Sequence, residues 1–179
     1  MTEHHPIVKA CISGDRQAQR QLYEHLKDKM FVLALRYADN RQDAEDILQE
    51  GFVKVFRDLH QYKGLGSLEG WIRKVILNVA LKHIKQKRRD FFIEPIGEKD
   101  FKDEIETESF FSDDLIKNVL AMMQQMPAGF RTVLNLYILE GYSHQQIAAE
   151  LNISVGTSKS QFSRAKQHLR ALLDKSLTR

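Results

Sequence analysis

Apolar positions recur at steps of three and four along most of the chain, and no stretch alternates apolar with polar as a half-buried strand would. The pattern predicts an all-α fold. Asp15 can cap a long helix running to about Tyr37, with Ala18, Leu22, Leu26, Phe31, Leu33 and Leu35 inward. Asp39-Asn40 breaks it. A second helix follows from about Arg41 to Leu59, its apolar side made by Ile47, Phe52, Val55, Phe56 and Leu59. The stretch HQYKGLGS, with two glycines, reads as a loop. Ser67 then caps a third helix in which Trp71, Val75 and Val79 repeat at steps of four, with Ile72 and Ile76 beside them.

After residue 90 the periodicity lapses until Leu115, Val119, Leu120, Met123 and Met126 mark a helix that stops before Pro127. Phe130, Val133, Leu134 and Tyr137 mark another, ended by Gly141; its aromatics and the methionines before it read as core. Ser143 is a good N-cap, and Gln146 completes a capping box. Ile147, Ala148 and Leu151 share one side of the short helix so begun. Asn152 can take the left-handed conformation that ends a helix, and Ser154 caps the next. On that last helix Val155, Ser158, Phe162, Ala165, Leu169 and Leu172 form one inward stripe.

The outward positions of the last helix are Thr157, Lys159, Ser160, Gln161, Ser163, Arg164, Lys166 and Gln167. They carry cations and short hydrogen-bonding groups, and no acid. An ordinary solvated helix face would need no such bias. A helix laid in the major groove would, because cations meet phosphates while Ser, Thr, Gln and Arg reach base edges. The capped helix, the Asn-Ile-Ser turn and the acid-free face together predict a helix-turn-helix within a four-helix module at 115–179.

Charge divides the chain further. Residues 1–89 hold 17 Lys and Arg against 11 Asp and Glu, residues 90–114 hold 2 against 10, and residues 115–179 hold 8 against 3. Two basic blocks therefore flank an acidic one, which separates two nucleic-acid-facing modules by a segment that DNA repels. Residues 90–114 are expected to be a linker that docks through Phe91-Phe92 and Phe110-Phe111 when a partner is present. The single cysteine, Cys11, excludes an intramolecular disulfide and suits a reducing compartment. The longest wholly apolar run, Met30 to Leu35, is too short to span a bilayer, and MTEHHPIVKA lacks a signal-peptide pattern. A cytoplasmic protein without membrane insertion is expected.

Two stretches of the first block exceed what packing needs. In DAEDILQE, Asp43, Asp46 and Glu50 share one helical face, with Gln49 near by. Acids early in a helix complement its macrodipole, and the same face suits docking of a basic partner. A metal site is disfavoured, because carboxylate-bridged metals in helical bundles usually bring a His three residues from a Glu, and this helix has none before His60. The second stretch, Trp71 to Arg89, carries Arg73, Lys74, Lys82, Lys85, Lys87, Arg88 and Arg89 with no acid, plus Asn78 and His83. A favourable C-terminal dipole accounts for some of those cations; the remainder argue for phosphate contacts. Tyr62, in the preceding glycine loop, is either a half-exposed packing residue or a platform for an unpaired base.

These residues resemble the extracytoplasmic-function sigma factors, the small two-domain class of bacterial RNA polymerase specificity subunits. The likeness lies in Asp43-Ala-Glu-Asp-Ile-Leu-Gln-Glu50 with Phe52, Gly70-Trp71-Ile72 with Asn78, and Pro127 with Arg131. It continues through Gly141-Tyr142-Ser143, Ile147-Ala148, and Gly156-Thr157 to Arg164-Ala165, in the family's order and spacing from about residue 8 to 173. The resemblance implies sigma region 2 at 1–89, an acidic linker at 90–114, and sigma region 4 at 115–179.

It also implies roles. Asp43, Asp46, Gln49 and Glu50 would dock on the coiled coil of core polymerase's largest subunit. Tyr62, Asn78, Lys82, Lys85, Arg88 and Arg89 would recognise the minus-ten element of promoter DNA and hold a flipped base. Thr157, Lys159, Ser160, Ser163, Arg164 and Lys166 would read the minus-thirty-five element. The linker would run toward the RNA exit channel, and an anti-sigma factor is a further partner to be expected. No catalytic residue, cofactor or metal is implied.

Two positions depart from the family pattern. Lys82 stands where an acid is frequent, and Ser158 where valine is common, predicting a shallow adjustment in packing. The main rival reading is a stand-alone helix-turn-helix regulator with an N-terminal helical sensor or dimerisation domain. Such a domain would have little use for the seven-cation helix.

Overall fold

The computed structural model describes residues 6–87 and 114–177. Among these residues every regular element is helical, and none of the helices is long and apolar enough to cross a membrane. The chain forms two compact units, Met1–His83 and Ile84–Arg179.

The first unit opens on a short helix not foreseen from the sequence, α1 (Pro6–Ile12), which buries Val8 and Cys11. Next comes α2 (Arg16–Tyr37), started by Asp15, whose Oδ1 accepts from the backbone N–H groups of Gln17 and Ala18. All six residues expected to face inward on α2 are buried, joined by Met30, Ala34 and Tyr37. Asn40 caps α3 (Arg41–Asp58), its Oδ1 accepting from Asp43 N–H at 2.8 Å. Ile47, Phe52, Val55 and Leu59 are buried as expected, while Phe56 is half-buried beside Phe52. Tyr23 of α2 meets Phe52 of α3 edge-on, with ring centroids 4.8 Å apart.

A 3-10 turn (Leu59–Gln61) and a loop lead to α4 (Leu68–Lys87). Ser67 Oγ accepts from Gly70 N–H at 3.0 Å, so the expected cap is in place. The buried column of α4 needs a correction. Ile72, Ile76, Val79 and Ala80 are buried, whereas Trp71 and Val75 are only half-buried. The reason lies in the helix crossing. Gly51 of α3 has no side chain, and Ile76 fills that space. The crossing turns Ile72, Ile76 and Val79 inward and leaves Trp71 and Val75 at the side.

In the second unit, α5 (Asp114–Gln124) and α6 (Ala128–Ile138) flank Pro127. Leu120, Met123 and Met126 are buried, but Tyr137, read as core, is exposed, as is Val119. A tight connection with Gly141 at φ 71° leads to α7 (His144–Leu151) and then α8 (Val155–Leu177). Met126, Phe130, Leu134 and Ala165 form the core, packed against Phe162, Leu169 and Leu172. Burying side chains of this size is worth roughly 1.5–3 kcal/mol each, and this outweighs the fraying tendency of a helix as short as α7.

Candidate nucleic-acid interface

The helix-turn-helix is built by local chemistry. Ser143 Oγ accepts from Gln146 N–H at 3.2 Å, and Gln146 Oε1 accepts from Ser143 N–H at 2.8 Å. Together they satisfy two N–H groups that the first turn of α7 would leave without partners. Asn152 ends the helix at φ 55°, ψ 48°, the left-handed conformation expected of it. Ile153 N–H then donates back to Ala148 O at 3.0 Å. Ser154 Oγ accepts from Thr157 N–H at 2.9 Å and starts α8. Ile147, Ala148 and Leu151 are buried, which fixes α7 against the second unit's core.

Ser158 is fully buried, and its hydroxyl shares a 2.9 Å hydrogen bond with His144 Nδ1. The His144 ring stacks on Tyr137 with centroids 4.7 Å apart, and Phe162 closes the cluster 4.5 Å from Tyr137. The serine is therefore more than a small substitute for valine. It links the start of α7 to the inner face of α8 through a polar contact. Nothing in the periodicity of the sequence signalled that pairing.

Six residues of α8 were expected to read DNA, and they divide into two groups. Thr157 Oγ1 lies 2.8 Å from Ser154 Oγ, Ser160 Oγ donates to Thr157 O at 2.9 Å, and Lys166 Nζ sits 5.0 Å above the Phe162 ring. Those three have contacts inside the unit. Lys159, Ser163 and Arg164 stand exposed, one helical turn apart on the outer face. Gln161, also read as outward, is buried instead. Three steps from Ser158 and four from Ala165, it falls on the inward column.

In the first unit, Tyr62 is half-exposed, its ring 5.9 Å from Trp71, and its hydroxyl donates to Gly66 O at 2.8 Å. This bond closes the loop, which needs glycines at Gly64 and Gly66 because φ there is 71° and 86°. Leu65 projects between them, 82% exposed, a loop-tip residue the sequence reading passed over. Asn78 and Lys82 are exposed on α4; Lys85, beyond the end of the first unit at His83, is also exposed and donates from Nζ to Glu150 Oε1 at 2.7 Å. Arg88 and Arg89 lie outside the described residues, as does the linker over 90–113.

The acidic face of α3 presents Asp46 and Gln49 to solvent, with Asp43 half-buried in the first turn. Val53, one turn on, is 68% exposed and extends that face with an apolar surface no packing role requires. Glu50 is different. Its Oε1 accepts from Lys82 Nζ at 3.0 Å and its Oε2 from His83 Nε2 at 2.7 Å, so both oxygens are engaged by α4. The His83 hydrogen bond, then that of Lys82, holds the Glu50 carboxyl below its ordinary value, against a smaller opposing effect of burial.

Fold and site together define a helical protein with a helix-turn-helix in one unit and a basic helix behind a glycine loop in the other. Sequence comparison narrows the class. Residues 22–90 match the family model "Sigma-70 region 2", and residues 116–169 match "Sigma-70, region 4". The chain is 30% identical over 169 residues to the ECF RNA polymerase sigma factor SigE of Mycolicibacterium smegmatis, covering 91% of this chain and 65% of that one. It is 28% identical to the RNA polymerase sigma-H factor of Pseudomonas aeruginosa (90% and 89% covered) and 25% to SigW of Bacillus subtilis (93% and 94%). In fold it resembles the sigma factor RpoE of Bartonella quintana, solved with the anti-sigma factor NepR. There the TM-score is 0.53 at 21% identity, covering 87% of this chain and 96% of that one. The chain belongs to the sigma-70 family, in its extracytoplasmic-function class of RNA polymerase sigma factors.

Proposed function

We propose that this sigma factor directs core RNA polymerase to specific promoters and traps the melted non-template strand, with no catalytic group of its own. One observation carries the reading. Two surfaces suited to DNA, the outer face of α8 over 157–167, which carries no acid, and the basic α4 behind the Tyr62 loop, occur in one family member. A lone regulator needs only the first.

In this reading residues 1–89 act as region 2, 90–114 as the connecting segment and 115–179 as region 4. Asp43, Asp46, Gln49 and Val53 form the docking face for core polymerase, with Glu50 at its edge. Tyr62, Leu65, Asn78, Lys82, Lys85, Arg88 and Arg89 serve the minus-ten element. Lys159, Ser163 and Arg164 read the minus-thirty-five element, with Thr157, Ser160 and Lys166 holding their helix in shape. Work on promoter DNA puts the protein in the cytoplasm. An anti-sigma factor is a fitting regulator, as for the Bartonella protein.

Run-off transcription with purified core polymerase tests the proposal. Added chain should yield discrete transcripts from a defined promoter set. Tight sequence-specific binding without polymerase, and no transcripts with it, would support the stand-alone regulator instead.

A further inference from the structure

Glu50 belongs by position to the acidic face of α3, one turn beyond Asp46, yet both its oxygens are held by side chains of α4, Lys82 and His83. The three side chains differ in exposure: 41% for Glu50, 57% for Lys82 and 23% for His83. Two functions therefore meet at one carboxylate. A basic docking partner competes with Lys82 and His83 for Glu50. DNA phosphate and Glu50 compete for Lys82. Solvent-exposed pairs of this kind shift an equilibrium by only about two- to fivefold, so they yield readily to a better partner. A buried pair would resist exchange; this one does not.

We propose that Glu50 is an internal latch that makes docking and DNA binding by the first unit mutually reinforcing. In the free chain the carboxylate occupies Lys82 and His83. A cationic surface that takes up Glu50 releases both side chains to the nucleic-acid backbone. Linkage makes the effect reciprocal: DNA that takes Lys82 leaves Glu50 available for docking. The latch rests on the assignment of α3 to docking and α4 to DNA. It goes further by joining the two assignments through a named contact.

The test is fluorescence anisotropy with a fluorescein-labelled 15-nucleotide single-stranded DNA and the full chain. Glu50→Gln should tighten binding by about two- to fivefold beyond Asp28→Asn, which removes one exposed charge elsewhere in the unit. Lys82→Gln should weaken binding in the Glu50→Gln background and leave the wild-type free chain nearly unchanged. An equal factor in both backgrounds, or no gain over Asp28→Asn, overturns the latch. If Glu50→Gln does not fold, Lys82→Gln alone decides the matter. It should leave the free chain's affinity unchanged and lower that of the assembled holoenzyme, and equal effects in the two states overturn the proposal. Wild-type chain that fails to bind core polymerase or to support run-off transcription would instead sink the functional reading itself.

Discussion

Gly51 of α3 and Ile76 of α4 touch so closely that a β-carbon added at Gly51 would lie 2.7 Å from Ile76 Cγ1. The isoleucine is branched at Cβ and fully buried, so it has little freedom to move aside. Gly51→Ala sets two effects against each other. Alanine gains about 1 kcal/mol of helix propensity, while overpacking a fitted core costs about 1–3 kcal/mol. The clash should win, and urea unfolding should report a net loss of up to about 2 kcal/mol. In an Ile76→Ala background the same substitution should become neutral or stabilising. Unchanged stability in the native background would show that α3 and α4 part there without cost.

That contact also explains which features the sequence revealed. Caps were legible because they are local: Asp15, Asn40, Ser67, the Ser143-Gln146 box and Asn152 all act within three residues. So were the helical class and most buried positions of α2 and α3. The inward side of α4 was not, since Trp71-Val75-Val79 and Ile72-Ile76 are equally apolar and the buried set draws on both. The notch at Gly51 places Ile76 in that set. The engagement of Glu50 was hidden for a similar reason, its partners lying 32 and 33 residues away. Val53 and Leu65 were overlooked because periodicity assigns apolar residues to cores. Here both are exposed, on surfaces proposed for binding.

The Ser158–His144 bond predicts a measurable coupling. Ser158→Ala leaves His144 Nδ1 without that partner at a half-buried site and should cost about 0.5–1.5 kcal/mol. His144→Phe keeps a ring against Tyr137 but loses the hydrogen bond. In a double-mutant cycle by thermal unfolding, the two changes should be less costly together than their sum. Strict additivity would mean that the bond contributes nothing to the brace between α7 and α8.

Acid should weaken the α3–α4 contact at Glu50. Its folded-state carboxyl titrates below the ordinary 4.5, so the folded chain binds a proton there less readily than the unfolded chain. Stability from this group is therefore fully present above pH 4.5 and is lost as pH falls through the lower folded value. Comparing unfolding of wild type and Glu50→Gln from pH 7 to pH 3 should show a gap that is flat near neutrality and closes below about pH 4.5. Added salt should narrow it, because the side chains are partly exposed. A gap that widens in acid would contradict the assignment.

The proposed docking face makes a separate prediction. Asp46→Lys places a cation on an exposed site whose fold contacts are few, so the chain should remain folded. Affinity for core polymerase should fall at least about tenfold, since like charges at a close contact cost several kcal/mol. Val53→Ser should weaken the same interaction by removing its apolar part while leaving the charge of the face unchanged. Binding measured by native gel shift or anisotropy with labelled chain would decide. Full affinity in both variants would move docking to another surface.

On α8, Thr157, Ser160 and Lys166 have side-chain contacts within their own unit, which sets them apart from the exposed Lys159, Ser163 and Arg164. The planar guanidinium of Arg164 can form a two-pronged bond with guanine, whereas Lys159 is a point charge suited to phosphate. Arg164→Ala should therefore cost about 1–3 kcal/mol on the preferred promoter and relax preference at one base pair. Lys159→Ala should weaken all promoters alike and lower the salt slope by about one. Transcription from a promoter library randomised over the minus-thirty-five element distinguishes the two behaviours. A uniform loss for Arg164→Ala would reduce it to a phosphate contact and shift base reading to the residues beside it.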